Sequence, residues 1–155
     1  MKKIVIILIV LLMSFSAMAQ YNPYKVDHKD AIVALSLITT TIVLDAMGDS
    51  FNDTGRKTIG HSLNALSIGS LLLAPVLLDL TTENWILYGI TYIGLRISFF
   101  DPVYNLTRGL PIGFIGSTSA WDRTIKQMTG PGQSWLLGIR SLSLVVAISI
   151  PIKYY

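Results

Sequence analysis

Residues 62–80 read SLNALSIGSLLLAPVLLDL, and between positions 71 and 78 there is no polar side chain. A helix made of that octet has no face to turn toward water, so it does not suit the surface of a soluble bundle. Nor do polar and apolar residues alternate as they do in an outer-membrane strand. The stretch therefore reads as a helix immersed in an apolar solvent. Three more segments share this character: residues 31–47 (AIVALSLITTTIVLDAM), 85–100 (WILYGITYIGLRISFF) and 134–150 (SWLLGIRSLSLVVAISI). At ~1.5 Å per residue, runs of this size extend about 24–29 Å, close to the ~30 Å hydrocarbon core of a bilayer. Pro75 should kink the second helix or loosen its hydrogen bonding. The small pairs Ala65/Gly69 and Ser70/Ala74 have the spacing that lets membrane helices approach closely.

Composition agrees. Of 155 residues, 52% are apolar and 14% charged, with a mean hydropathy of +0.58. Soluble domains average ~25% charged residues, and disorder requires low hydrophobicity. The absence of cysteine excludes disulfides, thiol catalysis, thiolate metal sites and lipid attachment through cysteine.

The N-terminus has the three parts of an export signal. Lys2 and Lys3 precede ten apolar residues (4–13), and Ala17 and Ala19 form an A-x-A site in SFSAMAQ. Cleavage is expected after Ala19, the alternative being an uncleaved anchor. Loss of Lys2 and Lys3 leaves 10 basic against 9 acidic residues, so a net charge of +3 becomes +1. The expected organisation is thus a signal at 1–19 and one integral membrane domain at 20–155. The fold class is all-α, a four-helix transmembrane bundle with one long inner loop.

Charge orients the bundle. With the mature N-terminus outside, residues 48–61 and 101–133 face the cytoplasm, and the C-terminus lies outside. Arg56, Lys57, Arg96, Arg108, Arg123, Lys126 and Arg140 then lie in or beside the inner loops. Lys25, Lys29 and Lys153 lie outside, as the positive-inside rule requires. An uncleaved signal leaves this orientation unchanged. Export of this kind places the chain in a bacterial inner membrane, with the lipid bilayer as its first partner. A second copy or another membrane protein is a further candidate partner. Scattered basic residues, already explained by topology, give no nucleic-acid footprint.

Polar residues gather at the inner end. Asp45, Asp49 and Asp53 share one face if the first helix continues past Gly48, and His61 opens the second. Three carboxylates and an imidazole are ligands suited to a divalent cation. The competing reading is a solvated loop whose aspartates cap a helix or turn, and no cofactor is required by it. Asp45, Arg96 and Arg140 fall inside apolar segments, where a charge costs ~2.5–3.5 kcal/mol on insertion scales. They either snorkel toward the interface or pair, Asp45 with Arg96 or Arg140.

Asp101-Pro102 should end the third helix. The following VYNLTRGLPIGFIGS (103–117) is apolar and glycine-rich, too short to span and too apolar to float. It reads as a re-entrant or interfacial stretch. Ser119 to Asp122 resembles a capping box. It opens a short amphipathic helix with Trp121, Ile125 and Met128 on one face and Arg123 and Lys126 away from it, lying on the inner leaflet or serving as a lid that fills the bundle mouth.

Residues 95–122, LRISFFDPVYNLTRGLPIGFIGSTSAWD, resemble a family of uncharacterised small multi-pass membrane proteins of Bacteroidetes-like bacteria. The resemblance rests on Arg96, Asp101, Tyr104-Asn105, Arg108-Gly109, Gly116, Thr118-Ser119 and Asp122. It implies a membrane protein without a known activity. It singles out Asp101, Asn105, Arg108 and Asp122 as the polar core of the inner loop.

No lipase elbow, HExxH or phosphate-binding loop occurs in the chain. The leading functional expectation is a structural or interaction component of the membrane. One alternative is a metal-dependent hydrolase of a lipid head group or phosphate ester. In it, Asp49, His61 or Asp122 would be catalytic and Arg108 or Arg123 would hold the anion. A small channel or carrier using Asp45, Arg96 and Arg140 is the other.

Overall fold

The computed structural model describes residues 29–78, 80, 82–115, 123, 124, 126, 127 and 133–154. The expected signal at 1–19 lies outside these residues. All regular structure among them is helical. Helix α1 spans Lys29–Asp53, α2 Lys57–Leu72, α3 Ala74–Leu77, α4 Thr82–Arg108 and α5 Gln133–Tyr154. Three stretches are long and apolar enough to cross a membrane: Lys29–Asp53, Lys57–Leu77 and Leu136–Lys153. The segment expected at 85–100 forms α4, which is long but more polar and is not among the three.

Two boundaries differ from expectation. Helix α1 does not end near Met47 but continues through Gly48 to Asp53, so most of the expected loop 48–61 is helical. A Thr54-Gly55 turn, with Gly55 at φ +81°, joins it to α2. Asp101-Pro102 does not end α4, which runs six residues beyond the proline. Pro102 removes one N–H and disfavours a helical residue before it. Here tertiary bonds at Asp101 and Asn105 hold the backbone against that preference.

Pro75 behaves as expected. Helix α2 stops before Leu73, and α3 restarts with the proline in its first turn, where a missing N–H costs nothing.

The helices lie in the order α2, α1, α4, α5, with α5 also touching α1. Asp45 bonds Arg96 and Asp53 bonds Tyr104, both 51 positions on, so α1 and α4 run parallel. Asp101 meets Arg140 while Gly94 meets Ala147, so α4 and α5 run antiparallel. Helices α1 and α2 form an antiparallel hairpin, since Asp49 meets Asn64 and Thr41 meets Ser67. One end of the assembly therefore collects the end of α1, the start of α2, the end of α4 and the first half of α5.

Helix α1 is the central element. Ala34, Ile38 and Ile42 are fully buried and pack with Ala74, Leu78, Tyr88, Leu95 and Ala147. The flanks are the reverse of a soluble protein's. Leu66, Leu72 and Val76 on the α2–α3 side and Leu142 and Val145 on α5 are 60–76% exposed. Thr91, Ser98, Asn105 and Arg140 are buried. A contiguous apolar exterior of this kind is rare on a monomer in water.

Of the two small-residue pairs, Ser70/Ala74 puts Ala74 in the core, 1% exposed, and the other differs from expectation. Ala65 and Gly69 point outward, and a side chain on Gly69 would meet nothing within 4 Å. Close approaches are made by Gly94 of α4, where a Cβ would sit 2.9 Å from Ala147 Cβ and 3.0 Å from the Ser143 carbonyl oxygen, and by Gly48 and Gly60. A Cβ on Gly48 would overlap Asn64 Oδ1 and sit 2.9 Å from the Gly60 carbonyl oxygen. A Cβ on Gly60 would overlap Asn52 Oδ1 and sit 2.7 Å from the Gly48 carbonyl oxygen. Each helix thus lays an asparagine over the other's glycine, a Cα–H···O arrangement common between closely packed helices. The residues involved read GDSFN at 48–52 and GHSLN at 60–64, a repeated G-x-S-apolar-N on either side of the turn.

Candidate functional site

The polar end contains two constellations, one on each side of α4. Toward α1, Tyr92, Arg96, Phe100, Tyr104 and Arg108 recur every four residues and so share one stripe of the helix. The Arg96 guanidinium lies 4.2 Å from the Phe100 ring centroid, and Arg108 lies 5.4 Å from that of Tyr104. Phe100 and Tyr104 stack at 6.3 Å. The stripe therefore sets each cation against an aromatic face, which attracts it. Aspartates from α1 complete it. Arg96 Nη1 donates to Asp45 Oδ2 at 2.5 Å and to the Tyr92 hydroxyl at 3.2 Å. The Tyr104 hydroxyl donates to Asp53 Oδ2 and accepts from Arg108 Nη1 at 2.6 Å. Arg108 itself stands 3.8 Å from Asp53.

Toward α5, the face Gly94, Ser98, Asp101, Asn105 is small and polar. Ser98 Oγ donates to the Arg140 carbonyl oxygen at 2.8 Å. Arg140 Nη2 donates to Asp101 Oδ2 at 2.7 Å, and the arginine side chain is only 7% exposed. Beyond α4 the chain turns at Gly109, φ +73°, and folds back. Buried Asn105 donates through Nδ2 to the carbonyl oxygens of Phe114 (2.8 Å) and Ile112 (3.2 Å). Arg140 Nη1 reaches the Ile112 carbonyl oxygen at a long 3.5 Å.

Each expected site residue now has a place. Asp45 pairs with Arg96 rather than Arg140, whose partner is Asp101. Asp49 accepts from Asn64 Nδ2 at 3.1 Å, across to α2. Asp53 belongs to the Tyr104–Arg108 group. His61 is exposed. Asp45, Asp49 and Asp53 do follow one helical face, but each serves a different partner. Among the described residues, no three Asp, Glu or His side chains gather where a metal ion could be held. Asp101 and Asn105 share the α5-facing side, whereas Arg108 sits on the other. Arg123 is exposed within a helical stretch that also holds Thr124, Lys126 and Gln127. Asp122, Trp121, Ile125 and Met128 lie outside the described residues, so the amphipathic face expected there does too.

Against family models, curated proteins and solved structures, the chain has no match.

The site is thus defined by its own geometry. Its chemistry is that of charge-assisted bonds between helices: four helical carboxylates, each bound by a donor from another helix. Sequence reasoning missed two of its parts, the Tyr/Arg/Phe stripe and the glycine–asparagine contact. Both have a signal in the sequence. The stripe is a strict period of four from 92 to 108, and the contact is the repeated G-x-S-apolar-N.

Proposed function

We propose that this chain is a multi-pass integral membrane protein that acts as a structural or interaction component, with its polar end at the cytoplasmic face of a bacterial inner membrane. One observation carries the reading: the helical carboxylates at Asp45, Asp49, Asp53 and Asp101 are all engaged by other helices, while the flanks are apolar. Groups held this way set helix positions. A metal-dependent hydrolase would need Asp45, Asp49, Asp53 and His61 to converge, and a carrier would need Asp45, Arg96 or Arg140 unpaired for part of its cycle.

In this reading all four long segments cross the bilayer. Helix α4 tolerates its polarity because α1 and α5 cover it on two sides. The signal-like pattern of residues 1–19 and the excess of positive residues at the polar end support it. Parallel α1 and α4, each with an antiparallel neighbour, suit a chain that crosses four times.

Two measurements test it. The protein should remain in the membrane pellet after alkaline carbonate extraction. Because the chain has no cysteine, single cysteines report sidedness cleanly. Lys153→Cys should react with an impermeant maleimide in spheroplasts, and Lys57→Cys only after permeabilisation. Release by carbonate, or the reverse labelling pattern, contradicts the proposal.

A further inference from the structure

Residues 110–115 form a non-helical segment whose polarity is turned inside out. Its backbone faces the protein. The Leu110 amide donates to the Asn105 carbonyl oxygen at 2.8 Å, and the Phe114 amide donates to that of Pro111 at 2.9 Å. The carbonyl oxygens of Ile112 and Phe114 accept from the Asn105 amide, which is 2% exposed. Its side chains face away. Ile112 is 51% exposed, Phe114 43%, and Pro111 is exposed between them.

That arrangement has little purpose in water, which would solvate the carbonyls without help from a buried amide. Beside hydrocarbon, where no water is at hand, a carbonyl needs such a partner within the protein, and those of Ile112 and Phe114 have one. Its position fits as well. The offset of 51 residues between α1 and α4 puts Asn105 level with Thr54, in the α1–α2 turn. The segment therefore sits at the end of the helices, which on the membrane reading is the depth where head groups meet acyl chains, and Arg140 of α5 reaches its Ile112 carbonyl oxygen.

We infer that residues 110–115 are a lipid-inserted wedge: Pro111, Ile112 and Phe114 enter the inner leaflet at the head-group boundary. Asn105 holds the wedge by satisfying its carbonyls, and Arg140 adds a longer contact. The occupant of this surface is the bilayer itself, not a protein. The inference rests on the membrane reading above, and its test separates the two.

Single cysteines at Ile112, Phe114, Leu66, Val145 and Lys57 are to be spin-labelled in protein reconstituted into phosphatidylethanolamine–phosphatidylglycerol vesicles. Collision with oxygen, which concentrates in lipid, is compared with collision with a water-soluble nickel chelate. Labels on Ile112→Cys and Phe114→Cys should favour oxygen, as Leu66→Cys and Val145→Cys do, while Lys57→Cys favours nickel. If the loop labels favour nickel while Leu66→Cys and Val145→Cys favour oxygen, the wedge is wrong and the membrane reading stands. If Leu66→Cys and Val145→Cys also favour nickel, both fall. Asn105→Asp keeps the size and removes the donor. In that background the loop labels should gain mobility and nickel access, and unchanged spectra would overturn the role given to Asn105.

Discussion

Among the described residues the α1–α2 contact holds no ion pair, whereas the α1–α4 and α4–α5 contacts do. Helices α1 and α2 are neighbours in sequence, connected by a three-residue turn, and they meet through glycine, asparagine and serine. Helix α4 follows after a break and α5 after a long connection, and both are fixed by ion pairs. A short turn already limits how two helices can align, so close packing and hydrogen bonds finish the fit without an ion pair. Helices that come together from farther along the chain have no such restraint. A charge in an apolar surround accepts only one partner at low cost, so ion pairs select the register that a uniform apolar surface leaves open.

That contrast can be broken in order of expected effect. The largest follows from stranding the most buried charge. Asp101→Leu leaves Arg140 inside without its carboxylate, and thermal unfolding in detergent should show a loss of about 3–5 kcal/mol. Next comes the glycine contact. Gly48→Ala drives a methyl into Asn64 and should cost about 1–3 kcal/mol. Gly69→Ala, on the open side of the same helix pair, should change stability by no more than about 0.5 kcal/mol. An equal effect at the two glycines would remove the distinction between the packed and open faces of α2.

The α1–α4 pairs are more solvated and should matter less. The Arg96 and Asp45 side chains are 38% and 26% exposed, so Arg96→Gln should cost about 1 kcal/mol in the same assay. Asp53 is 56% exposed, and Asp53→Asn should fall within about 0.5 kcal/mol. A larger penalty at Asp53 than at Asp101 would invert the ranking by burial.

Much of the fold is legible in the sequence alone. Segments 31–47, 62–80 and 134–150 declare themselves because an apolar helix in lipid needs no periodic pattern, only length. Their ends were harder to read, because tertiary bonds decide them. Pro102 is a strong local stop signal, yet α4 passes through it, since Asp101 and Asn105 on either side are tied to α5 and the returning loop. Gly48 is a weak helix former, yet α1 needs it where α2 comes closest.

The candidate site was readable as a set of residues but not as pairs. Asp45 with Arg96 and Asp45 with Arg140 are equally plausible until the order of helices is known. Arg140 turns to Asp101 because α5 lies against α4, a fact that no local pattern encodes. Likewise, a run of aspartates every four residues suggests shared ligands. It becomes separate contacts once α2 and α4 approach α1 from different sides.

The central claim is that the polar residues of this end exist to join helices. A double-mutant cycle on Asp101 and Arg140, read by thermal unfolding in detergent, tests it most directly. If the claim holds, Asp101→Leu/Arg140→Leu loses less stability than the sum of the two single variants, with a coupling of about 1–3 kcal/mol. Effects that add within about 0.5 kcal/mol would contradict it, because the two charges would then serve separate ends.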